Sequence, residues 1–151
     1  MQHYKMSVAV ALTVGLAATA FAQQTGQVLV LPDQIEWKAP PMVGGATTAI
    51  LYGDPTKAGV YVTRTKFPAG TKGMPHTHPD EWRTVVVLSG THYFGLGEQW
   101  DEAKLKVHPP GTFFSEPFKA PHFAWAKEGE VVLQITATGP TATTNIEQSK
   151  K

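Results

Sequence analysis

Residues 70–90 read GTKGMPHTHPDEWRTVVVLSG and place two histidines, His76 and His78, one residue apart. The segment 74–78 is a predicted strand, and side chains along a strand alternate between its two faces. Both imidazoles therefore project to the same side. Two imidazoles on one face can bind one metal ion together, because neutral imidazole is a standard ligand for Zn, Fe, Ni and Cu.

A third histidine, His122, follows Ala120-Pro121 and opens the predicted strand 122–126. A ligand from this second strand completes a set of three imidazoles and leaves other positions on a metal open for water or substrate. His76, His78 and His122 are therefore the predicted metal ligands.

The rest of the chain indicates an all-β domain. Runs rich in Val, Ile, Thr, Tyr and Phe alternate with turn residues, and beyond residue 22 no apolar helical period lasts ten residues. Strands are expected at 35–38, 47–52, 59–67, 74–78, 82–88, 91–95, 104–108, 112–115, 122–126 and 130–138. Residues 98–103 lack β-branched side chains and predict a helical turn or a wide loop. Many short strands with frequent turns favour a sandwich or a barrel.

Two groups of residues resemble the two sequence motifs of the cupin superfamily. The first motif is Gly, five residues, His-x-His, a later Glu and a closing Gly; the second is Pro-x-Gly followed by His. The matching residues are Gly70, His76, His78 and Gly90, then Pro109, Gly111 and His122, with a longer gap before His122. The resemblance covers residues 58–138. It implies an RmlC-like jelly-roll barrel, a double-stranded β-helix of two packed Greek keys, with Fe, Mn, Ni or Zn at the histidines.

The sequence departs from the first motif at Arg83, which stands where the family has its metal-binding glutamate. A guanidinium has five donors and no acceptor, so it cannot bind a metal and instead attracts an anion. Arg83 is either a clamp for a substrate carboxylate or sulfate, or the partner of Glu81 or Asp80 in a buried ion pair. Glu81 is the other candidate catalytic residue, as a fourth ligand or general base, with a solvated loop carboxylate as the alternative.

The two remaining histidines of the barrel, His92 and His108, occupy no ligand position of the motifs and are interpreted as structural. The segment 28–38 is a candidate dimer contact by analogy with the family, so a homodimer is expected.

The beginning of the chain predicts export. Lys5 precedes an uncharged apolar run, and Ala20-Phe21-Ala22 has the small-x-small form read by signal peptidase. The expected organisation is a signal peptide at 1–22, an N-terminal extension with edge strands at 23–57, the cupin barrel at 58–138 and a polar tail at 139–151. The mature protein is expected to be periplasmic or secreted, without a membrane anchor.

Charge and composition narrow the class of partner. The chain has 13 basic and 12 acidic residues, and cleavage after Ala22 removes Lys5, which leaves 12 of each. A balanced surface argues against nucleic acid and membrane surfaces, both of which need clustered Lys and Arg. A small, anionic molecule is the expected ligand.

Three functions are compatible with these residues. The first is a metalloenzyme with dioxygenase or isomerase chemistry, in which Glu81 or Arg83 orients the substrate. The second is a metal-free protein that binds an organic anion through Arg83 and the histidines. The third, a purely structural or protein-binding β-sandwich, leaves the shared placement of three histidines unexplained. The sequence does not choose between enzyme and binding protein, because fold does not dictate function.

Overall fold

The computed structural model describes residues 26–38 and 45–147, and within them ten strands form two five-stranded antiparallel sheets. The strands are β1 (Thr47–Tyr52), β2 (Gly59–Phe67), β3 (Lys72–Thr77), β4 (Arg83–Ser89), β5 (His92–Leu96), β6 (Lys106–His108), β7 (Phe113–Ser115), β8 (His122–Trp125), β9 (Val131–Gly139) and β10 (Thr144–Asn145). The orders are β1-β2-β9-β4-β7 in the first sheet and β10-β3-β8-β5-β6 in the second. The predicted all-β jelly roll is confirmed. The predicted signal peptide lies outside the described residues.

The hydrophobic core lies on the inner face of the first sheet. Burial alternates along β9, so that Leu133 and Ile135 point inward while Gln134 between them is half-buried. Val85 and Val87 do the same on β4 and are at most 1% exposed. Full burial of one such side chain stabilises the fold by about 1.5–3 kcal/mol. The same alternation turns Arg83, two residues before Val85, toward the interior.

Gly90 ends β4 in a conformation that favours glycine. Its φ is +74°, and a Cβ at this position would lie 2.1 Å from the carbonyl oxygen of Glu130. The closing glycine of the first motif is therefore required by the close approach of two backbones.

Two regions differ from the predicted strands. Of the segment 35–38, only Lys38 pairs, through a single bridge to Thr48. In the tail, β10 adds to the edge of the second sheet beside β3, a pairing that the polar sequence did not predict.

The segment 98–103 was expected to form a helical turn or a loop. It contains the start of a short 3-10 turn, Glu102–Lys104, which Asp101 caps by accepting from the backbone N–H of Ala103. Among the described residues, no helix is long and apolar enough to cross a membrane.

Candidate metal centre and its cavity

The three predicted metal ligands meet on the inner face of the second sheet. His76 on β3 and His122 on β8 are direct cross-strand partners, and their ring centroids are 4.3 Å apart. The His78 ring, just beyond β3, lies 4.9 Å from that of His76 and 5.2 Å from that of His122. One nitrogen from each ring lies within 4.8 Å of those of the other two. The structure therefore confirms that the three predicted histidines lie close enough together to form a triad.

Two of these histidines are built by the same local sequence. In Met74-Pro75-His76 and again in Ala120-Pro121-His122, a proline precedes the histidine. The imidazole Nδ1 lies 2.7 Å from the carbonyl oxygen two residues back in the first case and 2.9 Å in the second. A residue before proline favours extended backbone, so each X-Pro-His segment presents its own carbonyl to its own histidine.

The hydrogen bonds fix the tautomer of all three rings. His78 Nδ1 lies 2.8 Å from the carbonyl oxygen of Ala142, in the segment between β9 and β10. A carbonyl only accepts, so the Nδ1 of each of the three histidines donates to it and carries the proton. Each Nε2 then keeps its lone pair. This outer support is the arrangement typical of metal-binding histidines, because it orients the ring and raises its basicity.

Burial keeps at least two of the rings neutral. It lowers the pKa of His78 to about 4, with the nearby Arg83 charge as the next contribution. The pKa of His76 is also lowered, first by burial and then by His122. Neutral imidazoles are the form that binds metal.

Facing the triad from the first sheet is an ion pair between Arg83 and Glu116. Arg83 Nε donates to Glu116 Oε2 at 2.5 Å, and the two side chains are 11% and 10% exposed. Their backbones are neighbours as well, since the Glu116 N–H donates to the Arg83 carbonyl beyond the β4–β7 pairing. Glu116 Oε2 lies 3.7 Å from His122 Nε2 and 4.0 Å from His78 Nε2.

Arg83 has a second carboxylate partner behind it. Asp80, whose side chain is 1% exposed, lies 3.7 Å from Arg83 Nη1 and accepts from the hydroxyls of Tyr61 and Thr141. Arg83 Nη1 also donates to the Tyr61 hydroxyl at 2.8 Å. The guanidinium charge is thus compensated inside the protein.

These contacts keep the buried pair ionised. Burial alone would raise the pKa of Glu116, but the interaction with the Arg83 guanidinium, followed by those with the imidazoles of His122 and His78, outweighs it and holds the pKa below its usual value. Burial would likewise lower the pKa of Arg83, and the interactions with Glu116, Tyr61 and Asp80 reverse the shift.

The triad opens into a cavity of about 260 Å³ inside the barrel. Polar groups cluster at the end with the triad, Arg83 and Glu116. Much of the remaining wall is apolar, with contributions from Phe67, Phe94, Trp125, Leu133 and Ile135. A largely apolar pocket with a few convergent polar groups is typical of a small-molecule site.

The structure separates the two predicted catalytic residues. Arg83 lines the cavity, whereas Glu81 is exposed and is not among the described residues that line it. The carboxylate near the histidines is Glu116, which the sequence reasoning missed. Its only signal was the alternation that places it on the same face as Phe114, two residues earlier on β7.

The sequence matches no protein-family model and no curated protein significantly. Its structure is similar to that of the polyketide cyclase RemF from Streptomyces resistomycificus, with a TM-score of 0.67 and 18% identity over 83% of this chain and 89% of that chain. The DMSP lyase DddQ from Ruegeria pomeroyi DSS-3 has a TM-score of 0.61 and 17% identity, over 78% of this chain and 64% of that chain. An RmlC-like cupin from Shewanella frigidimarina NCIMB 400 has a TM-score of 0.58 and 18% identity, over 75% and 91%. The predicted resemblance is confirmed at the level of the fold, and the chain has an RmlC-like cupin fold.

Proposed function

We propose that this cupin is a metal-dependent enzyme in which His76, His78 and His122 hold a divalent transition metal ion, Fe, Mn, Ni or Zn, beside a small organic substrate. The observation that carries the proposal is the shared tautomer of the triad. Three backbone carbonyls accept from the three Nδ1 atoms, so three Nε2 lone pairs are left to converge. A hydrogen-bonded core histidine has no need of this common arrangement.

Glu116 supplies the carboxylate that the first motif lacks. Ligands at about 2.0–2.1 Å from one ion lie roughly 3–4 Å from each other, and Glu116 Oε2 is already 3.7 Å and 4.0 Å from two of the histidine Nε2 atoms. Arg83 acts as its positioning residue, because it holds the same oxygen. We therefore include Glu116 as the fourth donor.

Charge accounting favours a metal over an anion as the occupant of the triad. Arg83 contributes +1, and Asp80 and Glu116 together contribute −2, so the buried groups carry −1 with neutral histidines. A site with this charge attracts a divalent cation and repels an organic anion. The metal-free, anion-binding alternative depended on a free Arg83 charge, and that charge is compensated.

The cavity fits a catalytic role. Three or four protein ligands leave coordination positions facing the cavity, and an ion bound there would supply Lewis-acid or oxygen-activating chemistry. Two of the structurally similar proteins are enzymes, a polyketide cyclase and a DMSP lyase. The metal site and the cavity are compatible with both dioxygenase and isomerase chemistry, because neither of them specifies which substrate bond is broken or formed.

The test is elemental analysis of the protein purified without chelators, beside a His76→Ala/His78→Ala double variant. We expect a near-stoichiometric transition metal in the wild type and none in the double variant. His108→Ala is the matched control. Because His108 is outside the triad, this variant should keep its metal. A wild type that neither contains nor takes up a transition metal would refute the proposal.

We also propose that the protein is exported and cleaved after Ala22, on the strength of the apolar run and the Ala-Phe-Ala sequence. Mass spectrometry of the protein from a bacterial periplasm or medium should give a chain beginning at Gln23. A protein that retains Met1 and stays in the cytoplasm would contradict this.

A homodimer through residues 28–38 is the third part of the proposal. Its support is an apolar run in which Leu29 is 68% exposed and Leu31 45% exposed. Light scattering should give twice the chain mass for the wild type and a lower mass for Leu29→Glu. A monomeric wild type would exclude the dimer.

A further inference from the structure

His92 lines the cavity without belonging to the triad. It lies on β5, is 4% exposed, and packs against the rings of Phe94 and Phe114 at centroid distances of 6.0 Å and 5.7 Å. Its Nδ1 is buried with no hydrogen-bond partner. Within residues 26–38 and 45–147, nothing hydrogen-bonds to the other ring nitrogen of His92 either.

An unpaired imidazole at this position needs an explanation. A neutral imidazole has one hydrogen-bond donor and one acceptor. A buried donor or acceptor without a hydrogen-bond partner destabilises the folded protein, so most buried polar groups have partners. Burial lowers the pKa of His92 to about 4, with the neighbouring His108 as the next cause, and the ring is therefore neutral at pH 7. Because Nδ1 is buried, Nε2 is the ring nitrogen of His92 that a ligand in the cavity can reach.

Phe94 links this histidine to the metal end of the cavity. Its ring lies 5.4 Å from that of His122 and 6.0 Å from that of His92, with interplanar angles of 32° and 37°. A ligand that extends from the triad to His92 therefore runs along an aromatic wall. Planar aromatic groups pack well against such walls.

The volume of the cavity suits a ligand with one aromatic ring. A cavity of about 150 Å³ is enough to hold benzene, and this cavity has about 260 Å³. The space suits a ring with two small substituents. With a divalent ion added, the buried charge rises from −1 to +1, which one anionic oxygen would balance.

We propose that the cavity takes a single-ring aromatic molecule with a weakly acidic hydroxyl at the triad and a second oxygen, at the opposite end of the ring, hydrogen-bonded to His92. This inference rests on the proposed metal centre and adds the substrate class. A phenolic hydroxyl suits the triad end because the molecule can enter the apolar cavity uncharged and avoid the cost of desolvating an ion. His92 is then a specificity-determining residue.

The test compares two ligands that differ only at the far end, 4-(hydroxymethyl)phenol and 4-ethylphenol. Their affinities are measured by calorimetry for the metal-loaded wild type, His92→Phe and His92→Gln. We expect the wild type to prefer the hydroxymethyl compound about fivefold, as one net hydrogen bond allows. His92→Phe should lose that preference and His92→Gln should keep part of it. His108→Phe is the matched control, since His108 belongs to the same aromatic cluster and is not among the described cavity-lining residues.

The outcomes separate this inference from the proposed function, because metal content is measured on the same samples. A metal-loaded wild type that binds neither phenol, or whose preference persists in both His92 variants, overturns the substrate class and leaves the metal centre intact. A wild type without metal overturns the proposed function, and the preference of the metal-free protein then decides the role of His92. If His92→Phe does not fold, the loss or retention of preference in His92→Gln decides it.

Discussion

Arg83→Met in the metal-free protein tests whether Arg83 compensates the buried charges of Glu116 and Asp80. The change removes the guanidinium that pairs with both Glu116 and Asp80, whose side chains are 10% and 1% exposed. Breaking a buried pair by removing one partner costs about 3–5 kcal/mol, because a charge is left unpaired. We place Arg83→Met in this range, and little solvent screening reduces it at such low exposure.

The companion variants make the prediction specific. Glu116→Gln leaves Arg83 with Asp80 and should cost less, about 1–3 kcal/mol. In the double variant Arg83→Met/Glu116→Gln, the unpaired Glu116 charge is gone, so the double variant should be more stable than Arg83→Met alone by about 1–3 kcal/mol. Adding a metal ion should restore part of the stability lost in Arg83→Met, because the cation replaces the missing charge.

The assay is urea unfolding at pH 7 followed by circular dichroism, on protein stripped of metal. Lys57→Met is the control: it breaks an ion pair of 2.9 Å with Asp54, but both side chains are solvent-exposed, at 77% and 41%. Exposed pairs contribute little, so the unfolding midpoint should not change. If Arg83→Met loses less than about 1 kcal/mol, or if the double variant is the least stable, the reasoning from buried charge is refuted.

Two further predictions concern stability. Because the folded pKa of His92 is about 4 and its ordinary value is 6.5, the folded state binds fewer protons than the unfolded state between these values. The metal-free wild type should therefore lose up to about 3 kcal/mol through this group as pH falls from 6.5 to 4. Urea unfolding of His92→Gln should show a shallower decline, and an unchanged pH dependence would contradict the assignment. Gly90→Ala should destabilise more than Gly70→Ala: both have positive φ, but only at Gly90 would a Cβ meet backbone, at 2.1 Å. Equal unfolding midpoints would show that the contact with Glu130 relaxes freely.

Local pattern predicted an all-β sandwich or barrel, and the resemblance to the cupin motifs specified the jelly roll and pointed to three residues of the candidate site. Alternation of apolar residues predicted the strands, and the His-x-His spacing placed His76 and His78 on one face before any pairing was known. His122 was found through its motif. Each of these predictions depends on residues that are close together in the sequence.

The parts that were missed depend on pairing between distant residues. Glu116 is a site residue because β7 pairs with β4, 30 residues earlier, and sets it beside Arg83. No local pattern fixes that choice of neighbour, whereas Glu81 was close in sequence and therefore favoured. In the same way, β10 has only two residues and no alternation, so its pairing with β3 could not be predicted.

The most direct test of the proposed metal centre is X-ray absorption spectroscopy of the protein loaded with one equivalent of Co²⁺. Fitting the first shell counts the imidazole ligands. We predict three imidazoles and one carboxylate in the wild type, two imidazoles in His122→Ala, and the loss of the carboxylate in Glu116→Gln. A wild-type ion with fewer than three imidazoles, or a spectrum that His122→Ala leaves unchanged, would show that the triad is not the metal centre.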